Sequence, residues 1–181
     1  MEKFTILIMG GSQGAHSLNE LVSNAIVQMD RDLRNKLQIV HIAGPKDCDT
    51  ISRIYKENGV ISRTFVFMDN IHDAYNVCDL AISRAGAAAI YELALYRRPM
   101  ILIPYPFSKN NQRYNAEYFA GKNAAIYKEE KDLTSAELKN LIQELVGDKR
   151  RLEELSERAG EMRCTDAAGK LAGEILSMTT N

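Results

Sequence analysis

Two short stretches of this chain carry residue types suited to holding an anion. The first is Gly10-Gly11-Ser12-Gln13-Gly14. It lies between the apolar run Thr5 to Met9 and a helical pattern with Leu18, Leu21, Val22, Ala25, Ile26 and Met29 on one face. The second is Ser83-Arg84-Ala85-Gly86, which leads from Leu80-Ala81-Ile82 into a helix opening on Ala87, Ala88 and Ala89. Small residues let a ligand approach the backbone closely. The first N–H groups of a helix have no internal partner and sit at the positive end of its dipole, an arrangement that binds phosphate. Glu92 follows about one and a half turns into the second helix, at about 3.6 residues per turn. A carboxylate there does not hold phosphate, but it can accept hydrogen bonds from paired sugar hydroxyls. An anion site plus a hydroxyl acceptor points to a nucleotide. Taken alone, each stretch also reads as a turn that needs glycine, or as a helix packed on a sheet through small residues with Glu92 a solvated acid.

Other nucleotide motifs are argued against. No Gly-Lys-Ser/Thr follows the first turn, so it is not a P-loop. The second strand, Leu37 to Ile42, runs into Ala43-Gly44 without the acid that holds a ribose in dinucleotide enzymes. Asp47-Cys48-Asp49 has the form of a metal-binding DxD pair, but it precedes a helical stretch to about Asn58, where Asp is expected as an N-cap.

The elements that must position these residues alternate. Strands are expected at Thr5 to Met9, Leu37 to Ile42, Arg63 to Phe67, Leu80 to Ile82, Met100 to Ile103 and Ala124 to Tyr127. Helical patterns lie between them, including Ile71 to Val77, Ala87 to Tyr96 and Gln112 to Ala120, the last ending at Gly121 as a C-cap. Three more follow: Ser135 to Val146, Lys149 to about Arg163 and Asp166 to Met178. Thr134-Ser135 with Glu137, and Thr165-Asp166, read as N-caps. Six strands alternating with helices predict an α/β fold, a Rossmann-like doubly wound parallel sheet. In such sheets a ligand lies beyond the carboxyl ends of the strands. Ser12, Met68, Arg84 and the 104–112 loop all follow strands and so converge on that edge.

The chain has 181 residues and a net charge of −1, which fits one domain with a real core and carries no nucleic-acid footprint. Cys48, Cys78 and Cys164 are far apart and read as reduced cytosolic thiols. His16, His41 and His72 show no metal spacing. No apolar run approaches the ~20 residues needed to span a bilayer, and a strand beginning by Phe4 leaves no room for a signal peptide.

Together these motifs resemble the MurG family, glycosyltransferases that add N-acetylglucosamine to a lipid-linked muramoyl-peptide. The features are Gly10-Gly11-Ser12-Gln13-Gly14-Ala15 with Leu18-Asn19, Met68-Asp69-Asn70 with Ala74-Tyr75, Asp79, and Ser83-Arg84-Ala85-Gly86-Ala87. They continue through Glu92-Leu93, Pro99, Pro104 and Gln112 with Asn115-Ala116. The similarity runs from about Thr5 to Met178 and is to the C-terminal, donor-binding half. It implies a single UDP-sugar-binding domain over residues 1–181, one half of a GT-B enzyme that inverts configuration and needs no metal or cofactor at the chemical step.

Carried over by position, Ser12 and the amides of Ala87, Ala88 and Ala89 would hold the diphosphate, beside the Gly11, Gln13 and Gly14 turn. Glu92 would hold the ribose and the Met68 backbone would read uracil. Gln112, with Asn115, would contact the N-acetylglucosamine hydroxyls. Arg84 would sit near the base or brace the turn. Three positions depart from the family, which often has a hydroxyl residue at Ala89, a histidine at Asn111 and a glycine at Arg97. The family's N-terminal half is absent. That half binds the polyprenyl-diphosphate-linked acceptor and is expected to supply the base, so it becomes a partner in cis or trans, and the chain alone is expected to bind donor without turnover. The resemblance implies a cytoplasmic location, the full enzyme peripheral on the plasma membrane. A UDP-galactose glycolipid synthase domain, a partner subunit of a split enzyme and a generic nucleotide module are the rival readings.

Two further expectations concern shape. The helix must end before Pro99, and a helix-ending residue commonly takes positive φ, the conformation considered for Arg97. In the last helix Ala167, Ala168, Leu171, Ala172, Ile175 and Leu176 form an apolar stripe that this domain leaves partly exposed.

Overall fold

A computed structural model describes residues 3–11, 14–108 and 111–179. Six parallel strands form one sheet: β1 (Phe4–Met9), β2 (Leu37–Ile42), β3 (Ser62–Phe65), β4 (Leu80–Ser83), β5 (Met100–Leu102) and β6 (Ile126–Tyr127). Their order is β3-β2-β1-β4-β5-β6. The helices between them are α1 (His16–Val27), α2 (Arg31–Arg34), α3 (Cys48–Glu57), α4 (Ile71–Val77), α5 (Ala87–Leu95) and α6 (Asn111–Gly121). After β6 come a 3₁₀ turn (Glu130–Asp132), α7 (Ser135–Gly147), α8 (Lys149–Glu161) and α9 (Ala167–Thr179).

Both faces of the sheet are covered, so its strands are apolar on both sides rather than alternating with polar residues. Ile6, Ile8, Ile39, Ile82 and Ile101 point to one face, where α1, α3 and α7 bury Leu18, Val22, Ile51, Leu138 and Ile142 against them. Leu7, Met9, Ala81, Met100 and Leu102 point to the other, under Tyr75, Ile90, Leu93 and Phe119 of α4, α5 and α6. This is the doubly wound α/β sheet that the alternating pattern predicts.

Strand ends differ from expectation where the neighbour decides them. β3 stops at Phe65 because its partner β2 offers nothing beyond Ile42, which leaves Val66 and Phe67 exposed. β6 is only Ile126–Tyr127 because β5 presents Ile101 and Leu102 to it; Ala124 and Ala125 are buried without pairing. Gly121 is not the cap of α6. The chain turns instead at Asn123, at φ 55°, whose N–H reaches Ala120 O while Ala124 N–H reaches Phe119 O. Asparagine tolerates this left-handed region better than most residues.

The N-caps divide by location. Thr134 and Glu137 close a reciprocal capping box on α7, Asp148 caps α8, and Asp166 accepts from Gly169 N–H at the start of α9. Asp47 does not cap α3 through its side chain. Its carboxylate turns to His16 and Asn19. α1 and α5 also lack a side-chain cap.

Arg97 sits at φ 55° at the end of α5, two residues before Pro99, in the expected conformation. Its stem lies over Gly160 of α8, where an added Cβ would meet Arg97 Nε at 2.7 Å, and Ser156 Oγ donates to its carbonyl. Arg97→Gly is expected to raise the melting temperature by relieving about 1–2 kcal/mol of left-handed strain. Gly160→Ala alone should destabilise, because Arg97 must be displaced. In the Arg97→Gly background it should stabilise by ~1 kcal/mol through helix propensity. Urea unfolding of the four chains checks this sign change.

Candidate functional site

The sheet reverses its direction of growth between β1 and β4. β2 and β3 lie to one side, β5 and β6 to the other. Met9 pairs with Ser83 at the carboxyl end of this seam, and Arg84 N–H donates to Met9 O. The turns after β1 and β4 therefore leave adjacent strands at the same level. In an open α/β sheet this switch point is where a crevice forms.

The first turn needs glycine at two positions. Gly14 has φ +75°, and a Cβ there would run into the carbonyl of Ala43 at the end of β2. Gly11 has φ +95° and faces open space. It accepts from Gly14 N–H at 3.0 Å. Ser12 and Gln13, expected beside them, lie outside the described residues. The second turn delivers α5 with its start exposed at Ala87 and Ala88. The first intrahelical bond is Ile90 N–H to Gly86 O. Among the described residues the N–H groups of Ala87, Ala88 and Ala89 have no partner. The starts of α1, α3, α4 and α5 on this edge lack a side-chain cap, and those of α1 and α5 flank the switch point, while the capped starts of α7, α8 and α9 follow other helices or the 3₁₀ turn.

Arg84 braces the second turn. It is 4 % exposed. Its Nη1 donates to Ile103 O, Pro104 O and Glu130 Oε2, the last at 2.7 Å, and its Nη2 to Ser17 Oγ and Glu130 Oε1. The guanidinium also lies 5.5 Å from the Tyr105 ring centroid. These contacts give Arg84 to the turn rather than to the cleft, the second of the two roles expected for it. Burial pushes the Glu130 carboxyl up, but hydrogen bonds from Arg84 and Ser17 and the arginine's charge outweigh it and hold the group below its ordinary value.

α6 clasps the same turn. Gln112 Oε1 accepts from Ala85 N–H at 3.1 Å and Tyr105 N–H at 2.9 Å. Both partners are donors, so the amide orientation is fixed and Gln112 has only N–H groups left to offer. Asn115 Nδ2 donates to Ala85 O at 3.0 Å, which leaves Oδ1 and its second N–H for other partners. The Ala85 peptide is held at both ends.

Glu92 is half-buried on α5 and accepts from Tyr75 O–H at 2.8 Å through Oε2. Met68 lies in the loop after β3 and packs against the same core cluster as Tyr75 and Ile90. Among the described residues its N–H and C=O make no hydrogen bond, as a backbone edge kept for a ligand would require.

A buried network supports α1 from below. Asn19 Nδ2 donates to Ala43 O and Asp47 Oδ2, so its Oδ1 must accept from His41 Nε2. Nδ1 then accepts from Tyr55 O–H. Burial holds His41 down at about 3, so it is neutral. Exposed His16 is raised by its hydrogen bond to Asp47. Sequence reading gave no role to Glu130, Ser17 or Tyr75. Their partners lie 46, 67 and 17 residues away, at no helical or strand spacing.

Comparison with known proteins places the fold. Residues 5–171 match the model described as glycosyltransferase family 28 C-terminal domain. The chain belongs to that family. It is 33% identical over 177 residues, 97% of its length, to UDP-N-acetylglucosamine–N-acetylmuramyl-(pentapeptide) pyrophosphoryl-undecaprenol N-acetylglucosamine transferase of Geobacter metallireducens, and covers 48% of that protein. It is 37% identical over 174 residues to the Haemophilus ducreyi enzyme of the same name, covering 96% of this chain and 48% of the relative. The crystal structure of Acinetobacter baumannii MurG superposes with a TM-score of 0.86 at 26% identity, over 97% of this chain and 52% of that one. The chain spans about half the length of the curated relatives it matches.

The Arg84–Glu130 pair carries a prediction. A carboxyl held below its unfolded value contributes stability above that value, about pH 4.3, and loses it as pH falls through the folded value. Glu130→Gln should cost about 2–3 kcal/mol at pH 7 by leaving Arg84 buried without its counter-charge. The difference from wild type should shrink below about pH 4. Urea titrations at several pH values measure both.

Proposed function

We propose that this chain is the donor-binding half of an inverting, metal-independent glycosyltransferase. The reaction adds N-acetylglucosamine from UDP-N-acetylglucosamine to a lipid-linked muramoyl-peptide in peptidoglycan synthesis. The observation that carries this reading is the meeting of two uncapped helix starts at the β1–β4 switch point, with the Glu92 carboxylate one and a half turns into the second. In this reading the diphosphate lies against the Gly11–Gly14 turn and the Ala87, Ala88 and Ala89 amides. Glu92 accepts from the ribose hydroxyls and the Met68 backbone reads the uracil edge. Gln112 donates to hydroxyl oxygens of the sugar, and Asn115 accepts from one.

The chemistry asked of this half is leaving-group stabilisation. Transfer puts negative charge on the departing UDP. Fixed amides at a helix start meet that charge without reorganising, and one such donor is typically worth ~3–4 kcal/mol of barrier. The acceptor oxygen attacks from the face opposite the diphosphate. Its base and the polyprenyl-diphosphate-linked acceptor belong to an N-terminal half, with the whole enzyme peripheral on the cytoplasmic face of the plasma membrane. No described helix is long and apolar enough to cross a membrane.

A second reading, a UDP-sugar-binding subunit that completes a separate chain, is favoured by α9. Its described residues are exposed along their length, with Leu171 at 63 % and Ile175 at 54 %. An apolar stripe of this kind marks a contact surface. In both readings the surface faces the acceptor half, linked in one case and separate in the other.

Calorimetry with UDP, UDP-N-acetylglucosamine and UDP-galactose tests the donor reading. UDP-N-acetylglucosamine should bind best, Glu92→Ala should weaken UDP by ~1.5–3 kcal/mol, and EDTA should change neither result. Equal binding of both sugars would favour a glycolipid synthase domain, and loss with EDTA would overturn the metal-free mechanism. For α9, a relative's N-terminal half supplied in trans should bind the wild-type chain and fail to bind Leu171→Asp/Ile175→Asp. Sedimentation of the mixtures reads the outcome.

A further inference from the structure

Glu92 does not stand alone. Its Oε2 accepts from the Tyr75 hydroxyl at 2.8 Å. Tyr75 is 1 % exposed, and its ring belongs to the core cluster beneath α5. Two further rings fix it. Tyr96 lies 5.4 Å from it and His72 6.3 Å, centroid to centroid, and Tyr96 O–H and His72 Nδ1 are themselves 3.0 Å apart. The phenol therefore reaches the site edge from a rigid mount. Burial, with the hydrogen bond to Glu92 adding to it, pushes the phenol well above its usual value, so it remains a donor. Among the described residues Glu92 Oε1 has no hydrogen-bond partner.

We infer that Tyr75 is a positioning residue for ribose recognition: it fixes the Glu92 carboxylate so that Oε1 and the second lone pair of Oε2 accept the two ribose hydroxyls. This deepens the donor reading and rests on it. A glutamate on a helix surface samples many rotamers, and ordering it on binding opposes affinity. Tyr75 O–H has one proton to give and its ring is already ordered. It removes one carboxylate rotation before the nucleotide arrives and leaves the acceptor sites for a vicinal diol open. Its role is confined to the hydroxyl, because a phenyl ring fills the same core volume.

The test compares UDP with 2′,3′-dideoxy-UDP by calorimetry, in the wild-type chain, Tyr75→Phe, Glu92→Ala and the double variant. Tyr75→Phe should weaken UDP about three- to tenfold, less than losing the carboxylate's own hydrogen bonds to the ribose. It should leave dideoxy-UDP unchanged and have no effect once Glu92 is alanine. Equal weakening of both nucleotides, unchanged UDP affinity, or a Tyr75→Phe chain that fails to fold would each overturn the inference and assign the hydroxyl to the core. Failure of the donor reading looks different. There the wild-type chain binds no UDP, or Glu92→Ala leaves UDP unchanged, and the inference falls with it.

Discussion

The buried Arg84 guanidinium is the contact on which the site depends. It ties together the start of α1 through Ser17, the end of β5 through the Ile103 and Pro104 carbonyls, and the 3₁₀ turn through Glu130. A buried charge is costly unless it is paired and hydrogen-bonded. Here that cost enforces geometry. The turn after β4 can dock only where a carboxylate, two carbonyls and a hydroxyl converge. Arginine suits this better than lysine because its planar fork offers several donors in fixed directions.

The same turn is gripped from α6 by Gln112 and Asn115, one at each end of the Ala85 peptide. The result is a helix start whose first amides are held in place and left unpaired. The helices that follow β6 are capped by side chains, Thr134, Asp148 and Asp166. The starts of α1 and α5, on the edge where β1 and β4 diverge, are among those without a side-chain cap, as are α2, α3 and α4. Capping would stabilise each helix by about 1 kcal/mol and would occupy the amides that an anionic ligand needs.

Rigid support and open surface alternate around this edge. Below it lie the neutral His41, Asn19 and Tyr55, locked in one hydrogen-bonding pattern by their donors and acceptors. α9 keeps its described apolar residues exposed. In the reading proposed above, the buried network supports the donor crevice and α9 offers surface to a second half. This fits a chain that spans about half of the relatives it matches.

Much of this was legible in the sequence where the cause is local. Glycines at Gly11 and Gly14, the capping box at Thr134 and Glu137, the Asp166 cap and the positive φ of Arg97 before Pro99 each follow from a few adjacent residues. Alternating strands and helices also determine the sheet's class, and the motif turns fall on its carboxyl edge by chain direction alone. Other features were set by tertiary structure. The length of β3 depends on where β2 ends, the cap of α6 moved from Gly121 to Asn123, and Asp47 left its helix for His16 and Asn19. The pairings Arg84–Glu130 and Tyr75–Glu92 join residues 46 and 17 positions apart. Sequence spacing encodes what neighbouring residues do to one backbone. Which distant side chains complete a buried charge or orient a carboxylate is decided only when packed elements bring them within hydrogen-bond reach.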